Sequence, residues 1–372
     1  MQANILKYDK ALLIRAFACL IVFLSHTLPP QPNFFLTTDG VAAVRIFFIL
    51  SGYLIGKNFI NGKYHFGLES IKNFYINRIK RIVPLYYFVT ISLFVCFYQE
   101  LWQWGNWYKI LGIFTFTFDF DAKPYFTGSL WSLSVEMQFY LIAPFLIWLI
   151  SKACKNLSNT LWVMFISMAF SLGCIFLYSK NLISTPNQVR HFLVHFFCFP
   201  VGIALNFLFE YLQKHLENYK SWLTINSNRL FTLSLIIIYL VLNSFSYYSN
   251  FINRAFAGSF TYSVISVFAI VILTGICIYL AKLNTIQVRK IDLRRLSQNP
   301  LTFFEILGIL SYGFYLWHGD MLYYFRQIIQ VNNYQSYLLV LFLGFLASLS
   351  LSLVTYYLVE RINIKKILKP NS

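Results

Sequence analysis

Two residues in the first apolar stretch have types and a spacing that could do chemistry. The stretch 11–28, ALLIRAFACLIVFLSHTL, is long enough to cross a bilayer, yet it carries Arg15 and His26. A charged or titratable side chain inside hydrocarbon is costly and marks function by default. On a helix, at ~1.5 Å rise per residue, the two side chains stand roughly 16 Å apart along the axis. Arg15 then belongs near one membrane face and His26 in the opposite half, which suggests a path through the membrane rather than a pocket on one side. Histidine is suited to taking a proton from a hydroxyl near neutral pH. The structural alternative is a snorkelling arginine at the helix start and a histidine hydrogen-bonded near the far interface.

Other polar residues collect at the same two depths. Arg45 sits in VRIFFILSGYLIG, ahead of Ser51 and Gly52. It is either an interface anchor or a donor facing the same cavity as His26. Gly52 permits close helix approach. In NFYINRIKRIVPLYY, Arg78 and Arg81 share a helical face beside Lys80. They read either as ordinary loop charge or as a phosphate clamp, since guanidinium pairs grip phosphate bidentately. The stretch 128–144, GSLWSLSVEMQFYLIAP, brings Trp131, Ser132, Ser134 and Glu136 into a span. A carboxylate at that depth needs a cationic or hydrogen-bonding partner, and His26 or Arg45 could supply one. The stretch 308–323, GILSYGFYLWHGDMLY, carries His318 and Asp320 with Ser311, Tyr312 and Tyr315 below them. His318 fits a structural hydrogen bond and a substrate contact equally. His191 and His195 have a metal-compatible spacing without an identifiable third ligand, so no metal site is assigned. Glu305 and the Glu360–Arg361 pair read as capping or pairing groups. Together these residues suggest a phosphate-ready inner mouth and a histidine–carboxylate–arginine set in the outer half. Glu136 would orient the His26 ring, and an arginine or hydroxyl would stabilise developing oxyanion charge.

The elements that must position them are membrane helices. The 372 residues are 58% hydrophobic and only 12% charged, and apolar runs of span length recur throughout. Ten spans can be drawn: 11–28, 40–60, 82–99, 131–150, 161–179, 191–210, 229–247, 258–280, 300–324 and 337–359. The aromatic segment 101–130 reads as interfacial or re-entrant. The net charge of +17 does not indicate nucleic acid, because the basic residues lie in short loops, where they act as topology signals and lipid-headgroup contacts. With the N-terminus inside, of the 30 Lys and Arg only Lys109, Lys123, Lys180, Arg190, Arg254 and Arg326 fall outside, and Arg15 and Arg45 lie in spans. Both termini are expected to be cytoplasmic. The six cysteines form no CxxC pair, so neither a disulfide framework nor a thiolate site is indicated. The first run lacks a small-residue cleavage site and is taken as a permanent span. No Pro-, Gly- or Ser-rich linker divides the chain, so 1–372 is expected to be one transmembrane domain.

There is no GxSxG, P-loop, HExxH or GxGxxG motif, and no histidine begins an HxxxxD pattern. The chain does resemble the membrane-bound acyltransferase-3 family, typified by bacterial polysaccharide and O-antigen O-acetyltransferases. Arg15 and His26 match its arginine–ten residues–histidine motif, and FFILSGYLI (47–55) its FFxxSGfl segment. Arg78 and Arg81 match RxxR, LWSLSVEMQFY (130–140) matches WSLxxExxFY, and SYGFYLWH (311–318) matches SYxxYLxH. Val359-Glu360-Arg361 resembles the closing E-R-P, with Ile362 in place of proline.

The resemblance implies an all-α, polytopic bundle in the bacterial inner membrane. It implies acetyl-CoA or another short acyl-CoA as cytosolic co-substrate, with no permanently bound cofactor. The acceptor would be a hydroxyl of an extracytoplasmic glycan, lipopolysaccharide or exopolysaccharide. It further implies that Arg15 and His26 are essential, with Arg15, Arg78 and Arg81 contacting the CoA donor. Arg45, Ser51, Trp131, Ser134, Tyr315 and His318 are the expected cavity residues. The esterase-like domain fused to some members is not expected. A polysaccharide or small-molecule transporter is the rival reading, since polar spans and a through-membrane path suit it too.

Overall fold

The structure is a computed structural model that describes residues 8–98, 103, 105, 107–116, 130–180, 190–252, 260–283, 291 and 299–362. Among these every regular element is a helix, with no strand. Ten long helices correspond to the ten expected spans: α1 Lys10–Ser25, α2 Gly40–Ile60, α3 Leu68–Phe97, then α5 Trp131–Ala153 and α6 Leu157–Ser179 after the short α4 Trp107–Thr115. After the single turn α7, Phe192–His195, come α8 Cys198–His215, α9 Lys220–Tyr247, α10 Phe260–Leu283, α11 Thr302–Ile328 and α12 Tyr334–Thr355. The chain is an all-α, multi-pass membrane bundle. Among the described residues eight helical segments are long and apolar enough to cross a membrane. The two long helices outside that set are α1 and α11, the pair that carries Arg15, His318 and Asp320.

Helix boundaries depart from the drawn spans where the sequence is polar. The third helix starts at Leu68, well before residue 82. At ~1.5 Å per residue it is about 45 Å long, against a hydrocarbon core of about 30 Å. Its basic first turns therefore project from the hydrocarbon as a continuous helix, with Pro84 held inside it. The sixth span, by contrast, is broken into α7 and α8 just ahead of Pro200. Of the aromatic segment 101–130, the short helix α4 is docked against the bundle. Tyr86 and Tyr87 donate to the carbonyls of Ile113 and Phe114 at 2.8 and 2.7 Å, and Ser134 donates to Phe116 O at 2.6 Å. Side-chain donors of this kind let a short helix end sit inside a membrane protein. Residues 117–129, and several basic loop residues used in the topology count, among them Lys123, Arg254, Arg289 and Lys365, lie outside the described residues.

Glycines set the closest helix contacts. A methyl group at Gly202 of α8 would stand 2.2 Å from Ile49 O of α2, and one at Gly52 would stand 2.5 Å from Phe199 O of α8. One at Gly308 of α11 would meet Leu12 O of α1 at 2.3 Å. Small residues allow this approach where no water-driven hydrophobic force draws helices together. Around the α2–α8 seam the core is aromatic, with the Phe139 and Phe199 rings stacked at 4.0 Å. Replacing Gly202 by valine is expected to destabilise the protein by about 1–3 kcal/mol through overpacking. The matched Gly173→Val control, at a position open to a distance of 4 Å, should leave the detergent melting temperature unchanged. Equal melting of both variants would contradict the packing assigned to the seam.

Candidate functional site

A cavity of about 310 Å³ runs between α1, α2, α3, α5 and α11, lined by Arg15, Ser51, Arg78, Arg81, Glu136 and Tyr315 among others. Residues separated by up to 300 positions thus share one space. Its basic end is built by α3, where Arg78 stands 5.8 Å from the centres of the Phe74 and Tyr140 rings and Arg81 is exposed at the mouth. Lys57 lines the same end. The buried Nε of Arg78 has no protein hydrogen-bond partner, so that guanidinium edge is free to donate to a ligand oxygen. Glu360, in the π turn after α12, lies within electrostatic range of Arg81 and Arg15, while Arg361 turns to the Tyr357 ring at 5.3 Å.

Further in, Arg15 is fixed by α11: its Nε donates to Ser311 Oγ at 3.2 Å, and Ser311 donates to Gly308 O at 2.9 Å. Across the cavity, Glu136 Oε1 accepts from Ser51 Oγ at 2.8 Å and from the Tyr140 hydroxyl in a short bond. Tyr140 is four residues after Glu136 on α5, the spacing that places two side chains on one helical face. Next comes a hydroxyl pair, Ser132 Oγ and Tyr315 OH, 2.7 Å apart.

Beyond Tyr315 stand the two histidines. His318 Nδ1 lies 2.7 Å from Tyr315 O, and His318 Nε2 lies 3.4 Å from His26 Nδ1. His26 caps the C-terminus of α1, with Nδ1 2.8 Å from Val22 O. The rings meet edge to face at 4.7 Å. His318 is 1% exposed, and Phe314 lies parallel to it. No hydrogen bond joins Glu136 to His26; the carboxylate engages Ser51 and Tyr140 instead.

Of the expected cavity residues, His318, like His26, stands next to the cavity without lining it, and three others point elsewhere. Arg45 is buried and donates from Nε to His195 Nδ1 at 3.5 Å and from Nη1 to Ser266 Oγ at 3.2 Å. Trp131 packs on His195, ring centres 5.0 Å apart, and Ser134 turns to α4. His195 is therefore the partner of a buried arginine, and His191 caps α7 beside the Tyr178 hydroxyl. Among the described residues no three His, Cys, Asp or Glu side chains could hold a metal ion. Glu305 Oε1 accepts from the backbone N–H of Asp9 at the start of α1, in keeping with a capping role. Ser311 lines the cavity below His318, as its position in the sequence suggests. Tyr140, four residues after Glu136, is not singled out by the sequence despite its helical spacing, and the His26–His318 contact has no local signal. A second buried pair lies nearby, Tyr98 donating to Asp320 Oδ1 at 2.5 Å.

With bundle and site in view, the class is a multi-pass membrane protein with a basic-mouthed cavity leading towards paired histidines. Residues 12–357 match the family model described as "Acyltransferase domain", and the chain belongs to that family. Among curated proteins it is similar to the putative peptidoglycan O-acetyltransferase YrhL of Bacillus subtilis, 26% identical over 86% of this chain and 49% of the relative. It is 25% identical to the peptidoglycan O-acetyltransferase OatA of Listeria monocytogenes over 86% of this chain and 50% of that protein. A shorter match, 29% identical over 43% of this chain and 28% of the relative, is to O-acetyltransferase OatA of Staphylococcus aureus. The chain spans about half the length of the first two relatives. No solved structure matches it significantly.

The Tyr98–Asp320 pair yields a stability test. Tyr98→Phe removes a hydroxyl from a buried carboxyl and is expected to destabilise by about 1–3 kcal/mol, read as a lower melting temperature. An unchanged melting curve would show that the pair does not hold α3 to α11.

Proposed function

We propose that the chain transfers a short acyl group, most simply acetyl, from cytosolic acyl-CoA to a hydroxyl of an extracytoplasmic glycan. The observation that carries this reading is the single cavity that joins three arginines at one end to Tyr315, next to His318 and His26, at the other. The names of the relatives support acetyl as the acyl group and peptidoglycan as the glycan. The excess of basic residues in the loops on one side supports cytoplasmic termini and a basic mouth facing the cytosol. A bacterial inner membrane and one transmembrane unit over residues 1–372 belong to the same proposal.

In this mechanism Arg78 and Arg81 hold donor phosphates, with Arg15 and the unpartnered Arg78 Nε as further donors. Guanidinium suits phosphate because its N–H groups present a planar fork. Glu136 balances these charges and holds Ser51 and Tyr140 along the passage. At the far end His26 removes the proton from the acceptor hydroxyl. The hydroxyl oxygen then attacks the thioester carbonyl. The new C–O bond forms as the C–S bond breaks, CoA leaves as thiolate, and the proton on His26 passes on to the thiolate or to water. Ser132 and Tyr315 are the hydroxyls best placed to donate to the developing oxyanion.

The full chain in proteoliposomes, given radiolabelled acetyl-CoA and soluble peptidoglycan fragments, should label the glycan. His26→Ala should abolish labelling at normal membrane abundance. Arg78→Ala and Arg81→Ala should each raise KM for acetyl-CoA about tenfold, the size of a lost charge-assisted hydrogen bond. Glycan that crosses the membrane unlabelled, with acetyl-CoA left intact, would favour the transporter instead.

A further inference from the structure

The two ring contacts of the histidine pair fix which nitrogen carries which proton. A backbone carbonyl can only accept, so His318 Nδ1, 2.7 Å from Tyr315 O, carries its hydrogen. A neutral imidazole has one N–H, which leaves His318 Nε2 as a lone pair. By the same logic His26 Nδ1, 2.8 Å from Val22 O, is an N–H, and His318 Nε2 at 3.4 Å is its second acceptor. The remaining nitrogen, His26 Nε2, is a lone pair with no hydrogen-bond partner among the described residues. In a histidine the hydrogen bond at one nitrogen decides the state of the other.

We infer that His318 is a positioning residue: its Nε2 lone pair, together with Val22 O, holds His26 as the Nδ1–H tautomer and directs His26 Nε2 to the acceptor. This deepens the acyl-transfer reading above and rests on it for the chemistry, though the tautomer itself does not. When Nε2 of His26 takes the acceptor proton, the ring becomes an imidazolium whose Nδ1–H already faces two acceptors. The proton leaves again from Nε2 once the C–O bond has formed and the C–S bond has broken. Glu136, engaged by Ser51 and Tyr140, is not required for this task. His318 is itself held against rotation, buried beside the parallel Phe314 ring and within 5.3 Å of the Tyr315 ring.

The test contrasts two replacements in the full chain. His318→Phe keeps an aromatic ring and removes the acceptor; His318→Gln gives up the ring but can place an amide oxygen near the lost Nε2. Two readouts are taken in proteoliposomes: CoA thiol release from acetyl-CoA with peptidoglycan fragments, and labelling of His26 by diethyl pyrocarbonate, followed by mass spectrometry. The reagent reacts at an unprotonated imidazole nitrogen. The glutamine variant should stay within about threefold of the natural chain in both readouts. The phenylalanine variant should fall about tenfold in kcat and in labelling rate, with KM for acetyl-CoA unchanged. A packing role predicts the reverse order, and phenylalanine equal to or better than glutamine in both readouts would overturn the inference. If the natural chain releases no thiol while His26 labelling still ranks glutamine above phenylalanine, acyl transfer fails and the positioning role stands.

Discussion

The close approach of α1 and α11 is the contact on which the rest of the site depends. Gly308 lets the Leu12 carbonyl into the space a side chain would fill. From there the two helices run parallel. Arg15 reaches Ser311, Phe23 meets the Phe314 ring at 5.6 Å, and His26 meets His318. One packing decision thus positions Arg15 and the histidine pair together. A side chain at Gly308 would displace the arginine and the histidine together, because neither has another element holding it in the same way.

Charge is the second constraint. The cavity gathers Arg15, Arg78 and Arg81 with Lys57, while Glu136 is engaged by two hydroxyls. Like charges brought together in a partly desolvated space repel one another unless an anion joins them. The protein supplies part of the balance through Glu136 and Glu360. This concentration of positive charge favours an anionic ligand, and aromatic faces beside Arg78 keep its guanidinium oriented.

Much of this was legible in the residues. Ten apolar runs became ten long helices because a membrane span must satisfy its own backbone and so announces itself in composition. Arg15, Ser51, Arg78, Arg81, Glu136 and Tyr315 do line one space. Arg45 does not, and helical arithmetic explains it: six residues from Ser51, it lies about 240° around the same helix and faces α7 and α10. Ser134, two residues before Glu136, is likewise about 200° away, while Ser132, four before, shares its face. The His26–His318 contact joins residues 292 positions apart, and no local pattern encodes such a pairing.

The shortness of α1 has a consequence for the lipid around it. Its 16 residues give about 24 Å of helix, less than a bilayer core of about 30 Å. The following backbone is not helical, and it is tied down from several directions. Thr38 donates to Ile21 O at 2.9 Å, Tyr337 to Thr27 O and Tyr334 to Gln31 O at 3.2 Å, and Tyr239 to Phe35 O. Hydrophobic mismatch of this kind is met by thinning the bilayer or by admitting water beside the short element. Next to His26, at the end of this short helix, the bilayer core is therefore expected to be thinner or wetter than beside the long helices of the bundle.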